Sequence, residues 1–276
     1  MSNKEKEEKK QSTPPPMPEP QPQNEQSFED MASQAAGAGL ENVVEGRDTS
    51  IPFLQIIQTG SPQLKRENTK YIKGAKAGDI VNTVTNKIYD TSEPDGKPLL
   101  VVPVGFVHIW VEWKLRHLGG GFVRNHKDEM ILAKTVKGGP KMKDDVLQDN
   151  PQHHIVSTAM HSVIVLDEET GRYPAVISMT STQLKKSRNW LSRQGAIKLK
   201  DGKQAPAFYK LYAIRTGVEK HAEGEAYGWI IETKETVNPQ IFTDALSFYK
   251  KLQTTTALPA PPDATQPEED DEKSPY

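Results

Sequence analysis

The chain has 276 residues, of which 26% are charged and 35% hydrophobic, and it contains no cysteine. This composition excludes disulfides, cysteine-ligated zinc, iron–sulfur clusters and thiol catalysis, and no apolar run approaches the roughly 20 residues of a membrane helix. We therefore expect a soluble, intracellular protein.

The charge is unevenly distributed along the chain. Residues 1–30 have a net charge of −3 and residues 255–276 a net charge of −5, whereas 31–254 contains 30 basic and 24 acidic residues. We predict that 1–36 and 255–276 are disordered, because both are acidic, rich in proline and poor in residues that can be buried. The basic body between them, 37–254, is the predicted domain, and its charge favours a polyanionic partner.

Short β-rich runs bounded by Gly, Pro and Asp dominate the body. The first run, 51–59, fits either a strand or a short helix. Further strands are predicted at 78–85, 99–113, 154–166, 172–179, 208–215 and 226–232. Residues 167–171 separate two of these runs and predict a β-hairpin.

Two helices are predicted. Ser181 or Thr182 would cap a helix over 184–194 that ends at Gly195, and 239–252 forms the second. Residues 117–152 are expected to form a long polar loop. Many short strands with one or two accessory helices predict a mainly β, antiparallel barrel or sandwich.

The strand at 99–116 carries a functional signal. Its odd positions are apolar and are expected to face the core, whereas its even positions include Phe106 and Trp110, followed by Lys114 and Arg116. Aromatic rings can stack on unpaired bases, and adjacent cations can neutralise phosphates. The alternative is that the rings pack under the 117–152 loop and that the cations are merely solvated.

A second basic segment, 183–203, has seven Lys and Arg residues against one acid, Asp201. Within its predicted helix, Lys185, Lys186, Arg188 and Arg193 are candidate phosphate contacts and Trp190 is a further candidate for stacking. A solvated helix face is the alternative. The Lys-rich loop 134–143 could close over a bound strand.

The C-terminal segment combines a run of acids with a terminal ring: Glu268, Glu269, Asp270, Asp271, Glu272 and Tyr276. Such a tail can compete with nucleic acid for a cationic surface, or bind basic partner proteins. The alternative is that it only improves solubility.

Five sequence segments resemble those of a known family: AGAGLENV (36–43), IPFLQIIQTGSPQLK (51–65), YIKGAKAGDI (71–80), STQLKKSRNW (181–190) and YGWIIE (227–232). Together with the acidic tail they resemble the single-stranded-DNA-binding proteins of tailed phages. The resemblance implies an OB-like fold, a role in phage DNA replication or recombination in the host cytoplasm, and contact of the tail with replication proteins such as a polymerase, helicase or primase. It leaves open whether the protein is a homodimer.

An enzymatic function is the less favoured interpretation. Pro94-Asp95 followed by Glu112 and Lys114 has the form of the PD–ExK nuclease pattern, in which carboxylates hold Mg²⁺. However, Pro-Asp-Gly is already explained as a turn, and His153-His154 lacks the further ligands of a metal site. We expect no catalytic residue, metal or cofactor; a structural virion protein is a further alternative.

Overall fold

The computed structural model describes residues 50–137, 145–221 and 224–254. The predicted disordered segments, 1–36 and 255–276, lie outside these ranges. So do most of the Lys-rich loop (138–143) and the tail residues Glu268, Glu269, Asp270, Asp271, Glu272 and Tyr276.

The described part of the chain is mainly β, as predicted, and contains two α-helices. The strands are β1 (Phe53–Ile56), β2 (Ile80–Asn82), β3 (Ile88–Tyr89), β4 (Leu99–Lys114), β5 (Phe122–His126), β6 (Thr135–Lys137), β7 (Asp145–Leu147), β8 (His153–Asp167), β9 (Gly171–Thr180), β10 (Lys210–His221) and β11 (Gly224–Thr236). The helices are α1 (Leu184–Ala196) and α2 (Pro239–Thr254). Neither helix is long and apolar enough to span a membrane.

These strands form one sheet, whose main path has the order β11-β10-β4-β8-β9-β1-β2-β3. Neighbouring strands are antiparallel, except that β1 and β9 are parallel. The sheet curls into a half-barrel, so that its two ends approach each other. Gln58, just after β1, hydrogen-bonds the backbone N–H and C=O of Tyr227 on β11, and Thr216 of β10 forms backbone hydrogen bonds with Thr91 and Glu93. The predicted barrel-like, antiparallel architecture is therefore confirmed.

The 117–152 segment is not the polar loop that the sequence suggested. β4 and β8 continue past the half-barrel, and the segment supplies β5, which pairs with β4, and β7, which pairs with β8 and β6. A 3₁₀-helix, Glu129–Lys134, connects β5 to β6. The prediction failed because the extended edges of β4 and β8 offer backbone groups that need partners, and this need is invisible in local composition.

The main core fills the inside of the half-barrel, where Ile80, Val163 and Ile214 are completely buried. α1 lies across this inner side and contributes Trp190 to the core. α2 covers the outer side of β4 and β8, where Ala245 packs with Val102, Ile164 and their neighbours. Burial of both sides of the β4–β8 pair explains their long apolar runs.

The N-terminus of α1 differs from the predicted cap. Ser181 and Thr182 belong to a 3₁₀-turn, Ser181–Gln183, and neither makes a capping hydrogen bond. Gly195 lies inside the last turn of α1 rather than after it. The side chain of Gln183 is committed to β10 and β11, which fixes the start of the helix by tertiary contacts instead of a local cap.

Candidate nucleic-acid interface

A β-bulge in β4 determines which side chains share a face. Between Pro103 and Gly105 the register against β8 shifts by one residue. A one-residue shift exchanges the two faces of a strand. Odd residues before the bulge, such as Val101, therefore lie on the inner side of the sheet, whereas after the bulge the even residues lie on that side. The odd residues after the bulge, such as Ile109 and Val111, are buried as well, but on the opposite side of the sheet. The prediction that the odd positions belong to the core is therefore confirmed, whereas the prediction that they form a single face is wrong.

After the bulge, the inner face of β4 carries a row of rings. Phe106, His108 and Trp110 occupy consecutive positions on this face. Phe106 is 44% exposed, His108 is exposed and Trp110 is half-buried. The His108 and Trp110 rings stack with centroids 4.9 Å apart, and His108 forms a 2.8 Å hydrogen bond with Ser157 on β8. The rings are thus held in place and remain open to solvent.

The row ends at a buried carboxylate. Glu112 is 1% exposed and accepts hydrogen bonds from Arg124 and His126 of β5, both at 2.8 Å, and from His153 of β8 at 2.7 Å. Burial by itself would raise the pKa of Glu112, but these hydrogen bonds outweigh it and lower the pKa to about 2. Glu112 is therefore ionised at neutral pH and joins β5 and β8 to β4.

Two cations lie near this end of β4. Lys114 follows Glu112 on the same face and is half-buried, and the side chain of Arg124 remains 66% exposed while it bonds Glu112. Arg116 begins the 3₁₀-helix Arg116–Leu118, and its side chain is outside the described part of the structure. Arg124 was not predicted, because its place beside Glu112 depends on the pairing of β5 with β4.

The predicted basic residues of α1 divide into two groups. Lys185 and Arg188 are exposed. Lys186, in contrast, forms an ion pair with Glu219 of β10 at 2.5 Å, and Arg193 donates to the backbone oxygen of Ile231 on β11. Lys186 and Arg193 therefore connect the helix to the sheet, while Lys185, Arg188 and the exposed Arg193 present their charges to solvent.

Trp190 belongs to the core and not to the exposed row. It is 1% exposed, and its ring stacks on His161 at 4.5 Å and contacts Tyr212 edge-on at 5.6 Å. His161 also contacts Phe106 at 5.0 Å and bonds Ser187 of α1. Trp190 cannot stack on a base in this arrangement, but it supports Phe106 from below through His161.

The two halves of the nuclease pattern are far apart. Pro94-Asp95 precedes β4, whereas Glu112 lies 13 residues after Leu99, which corresponds to about 40 Å of strand. Glu112 is moreover committed to Arg124, His126 and His153. Among the described residues, no group of His, Asp and Glu side chains is arranged to hold a metal ion.

Comparison with known proteins identifies the family. A family model described as Pam3 phage gp34-like protein matches residues 21–257. The chain belongs to the Pam3 phage gp34-like family. This family is one of phage proteins, and its match spans all of the described sheet and both helices. No curated protein and no solved structure matched the chain.

Proposed function

We propose that this member of the Pam3 phage gp34-like family binds single-stranded DNA, without sequence specificity and without catalysing a reaction. The observation that carries the proposal is the solvent-accessible row of Phe106, His108 and Trp110 on one face of β4. Unpaired bases can stack on such rings, whereas the bases of a duplex are already stacked on one another. The protein would act during DNA replication or recombination in the host cytoplasm.

Cations at both ends of the row support this assignment. Lys114 and Arg124 lie beyond Trp110, and α1, which carries the exposed Lys185 and Arg188, packs beside Phe106 through His161 and Ser187. A strand that follows β4 would place its phosphates near these side chains. If about 4–6 phosphates are engaged, the logarithm of the affinity should fall with the logarithm of the salt concentration with a slope near −3 to −4.

The acidic C-terminal segment completes the proposal. Its six acids and Tyr276 would compete with DNA for the cationic surface and bind replication proteins when DNA occupies that surface.

Intrinsic tryptophan fluorescence gives a direct test. Of the four tryptophans, Trp113, Trp190 and Trp229 are buried, and only Trp110 is positioned to meet a base. Titration with oligo-dT should quench the fluorescence, and Trp110→Phe should remove most of that quench. Trp110→Ala should weaken binding by about 1–3 kcal/mol, the usual value of one stacked base.

Trp113→Phe is the matched control, because Trp113 faces the opposite side of β4 and is 7% exposed. It should preserve both the quench and the affinity. The proposal is wrong if the protein does not bind oligo-dT, binds duplex of equal length as tightly, or binds independently of salt.

A further inference from the structure

The connection between β1 and β2 contains a second concentration of positive charge. Residues 65–76 include Lys65, Arg66, Lys70, Lys73 and Lys76 against the single acid Glu67, a net charge of +4 over twelve residues. Tyr71 lies among them and is 36% exposed. We call residues 65–76 the β1–β2 basic loop.

Successive turns give the loop a defined shape. Backbone hydrogen bonds connect Asn68 to Lys65, Tyr71 to Asn68, and Ala75 to Ile72, and Ile72 bonds back to Gln63. At its end, the hydroxyl of Thr216 on β10 donates to the backbone oxygen of Gly78. Because the backbone is already ordered by these bonds, a ligand would meet preformed positions and pay little entropy for ordering the loop.

Most of the loop's charge is not neutralised by neighbouring acids. Arg66, Lys70 and Lys73 are exposed and form no ion pair with any residue in the described ranges. The ammonium group of Lys76 pairs with Asp90 at 3.4 Å, and both side chains are well exposed. Exposed pairs of this kind contribute little. The cations are therefore available to an external polyanion.

We propose that the β1–β2 basic loop is a second contact for the single-stranded polynucleotide, in which Arg66, Lys70 and Lys73 neutralise phosphates and Tyr71 stacks on a base. This inference rests on the proposed function. β1 is separated from β4 by β8 and β9, which makes three interstrand spacings or about 14 Å along the sheet, so the loop would extend the binding surface beyond the ring row rather than form part of it.

The decisive variant is the triple substitution Arg66→Gln, Lys70→Gln and Lys73→Gln in the full-length protein. Loss of three phosphate contacts should make the salt slope for oligo-dT of about 20 nucleotides less steep by about 2, since each contact on a single strand contributes about 0.7. Quenching of Trp110 at saturation should be unchanged. Tyr71→Ala should weaken binding about fivefold or more.

A matched control removes the same charge elsewhere. Lys97, Lys220 and Lys234 are each in an exposed ion pair, with Glu168, Glu225 and Glu232 respectively. The triple replacement of these lysines by Gln should give the same salt slope for oligo-dT as the unmodified protein. A loop variant whose slope equals that of this control would overturn the inference, while persistent quenching by oligo-dT would leave the proposed function intact. Absence of any binding or quench in the unmodified protein would instead overturn both.

Discussion

His161 is a buried imidazole that supports the exposed row of rings. It is 1% exposed, contacts Phe106 on one side and Trp190 on the other, and bonds the hydroxyl of Ser187. Burial disfavours the charged ring and lowers the pKa of His161 to about 3, from an ordinary value of 6.5. His161 is therefore neutral in the folded protein over the whole physiological range.

This burial makes stability depend on pH. Below pH 6.5 the unfolded chain binds a proton at His161 and the folded protein does not, so stability falls as the pH decreases toward 3. At pH 5 the loss should be about 2 kcal/mol relative to pH 7. We expect His161→Gln to remove this contribution to the difference in unfolding free energy between pH 7 and pH 5, which urea unfolding at the two pH values measures. His117→Gln, at an exposed position, should keep the full difference; an equal pH dependence in both variants would contradict the prediction.

At the level of elements, β4 combines two functions by means of its bulge and its length. The shorter part before the bulge contributes to the inner core, and the longer part after it carries the rings, followed by Glu112. Glu112 connects β5 through Arg124 and His126, and β8 through His153. This carboxylate therefore determines where the cation of Arg124 lies relative to Trp110.

Glu112→Gln should destabilise the protein by about 2 kcal/mol, because it removes charge-assisted hydrogen bonds from a buried position. Urea unfolding measures the loss, and faster amide hydrogen exchange in β5 should accompany it. The stabilising contribution of Glu112 is present above its ordinary pKa of 4.5 and is lost as the pH falls through about 2.

Glu225→Gln is a suitable comparison, since the ion pair of Glu225 with Lys220 is exposed on both sides. It should change stability by less than about 0.5 kcal/mol. If the two substitutions have equal effects, the cluster around Glu112 does not hold β5 in place.

For the molecule as a whole, side chains complete the curled sheet where strand pairing ends. The outer edge of β11 has no neighbouring strand in the described sheet, yet its polar groups are satisfied at alternate residues. Gln58 bonds both backbone groups of Tyr227, Gln183 accepts from the N–H of Trp229, and Arg193 donates to the oxygen of Ile231. These contacts protect an edge that could otherwise pair with another chain.

Gln183→Ala should therefore leave the buried N–H of Trp229 without its partner, at a cost of about 2 kcal/mol. The expected result is a Tm lower by about 4–8 °C, together with increased self-association by light scattering. Gln240→Ala, on the exposed side of α2, should change neither quantity appreciably. An unchanged Tm for Gln183→Ala would show that the edge does not depend on this contact.

The main strands and both helices were predictable because their signals are local. Apolar, β-rich runs bounded by turn residues marked β4, β8 and β9, and the helical spacing of Leu184, Ser187 and Leu191 marked α1. The exposure of Phe106 also agrees with the predicted ring-bearing strand. Its assignment to an interface remains a prediction, since exposure does not identify a ligand.

Other features depend on residues distant in sequence. The bulge at Gly105 exchanges the faces of β4, and no local pattern marks a shift that is defined only against β8. Trp190 and Lys186 are of the residue types that bind nucleic acid on exposed surfaces. Where α1 meets the sheet, however, Trp190 is buried and Lys186 forms an ion pair with Glu219. Local spacing thus specified which residues belong to one strand and which lie on one face of a helix. Contacts between elements decided which face is exposed to water, because burial is a property of the assembled sheet.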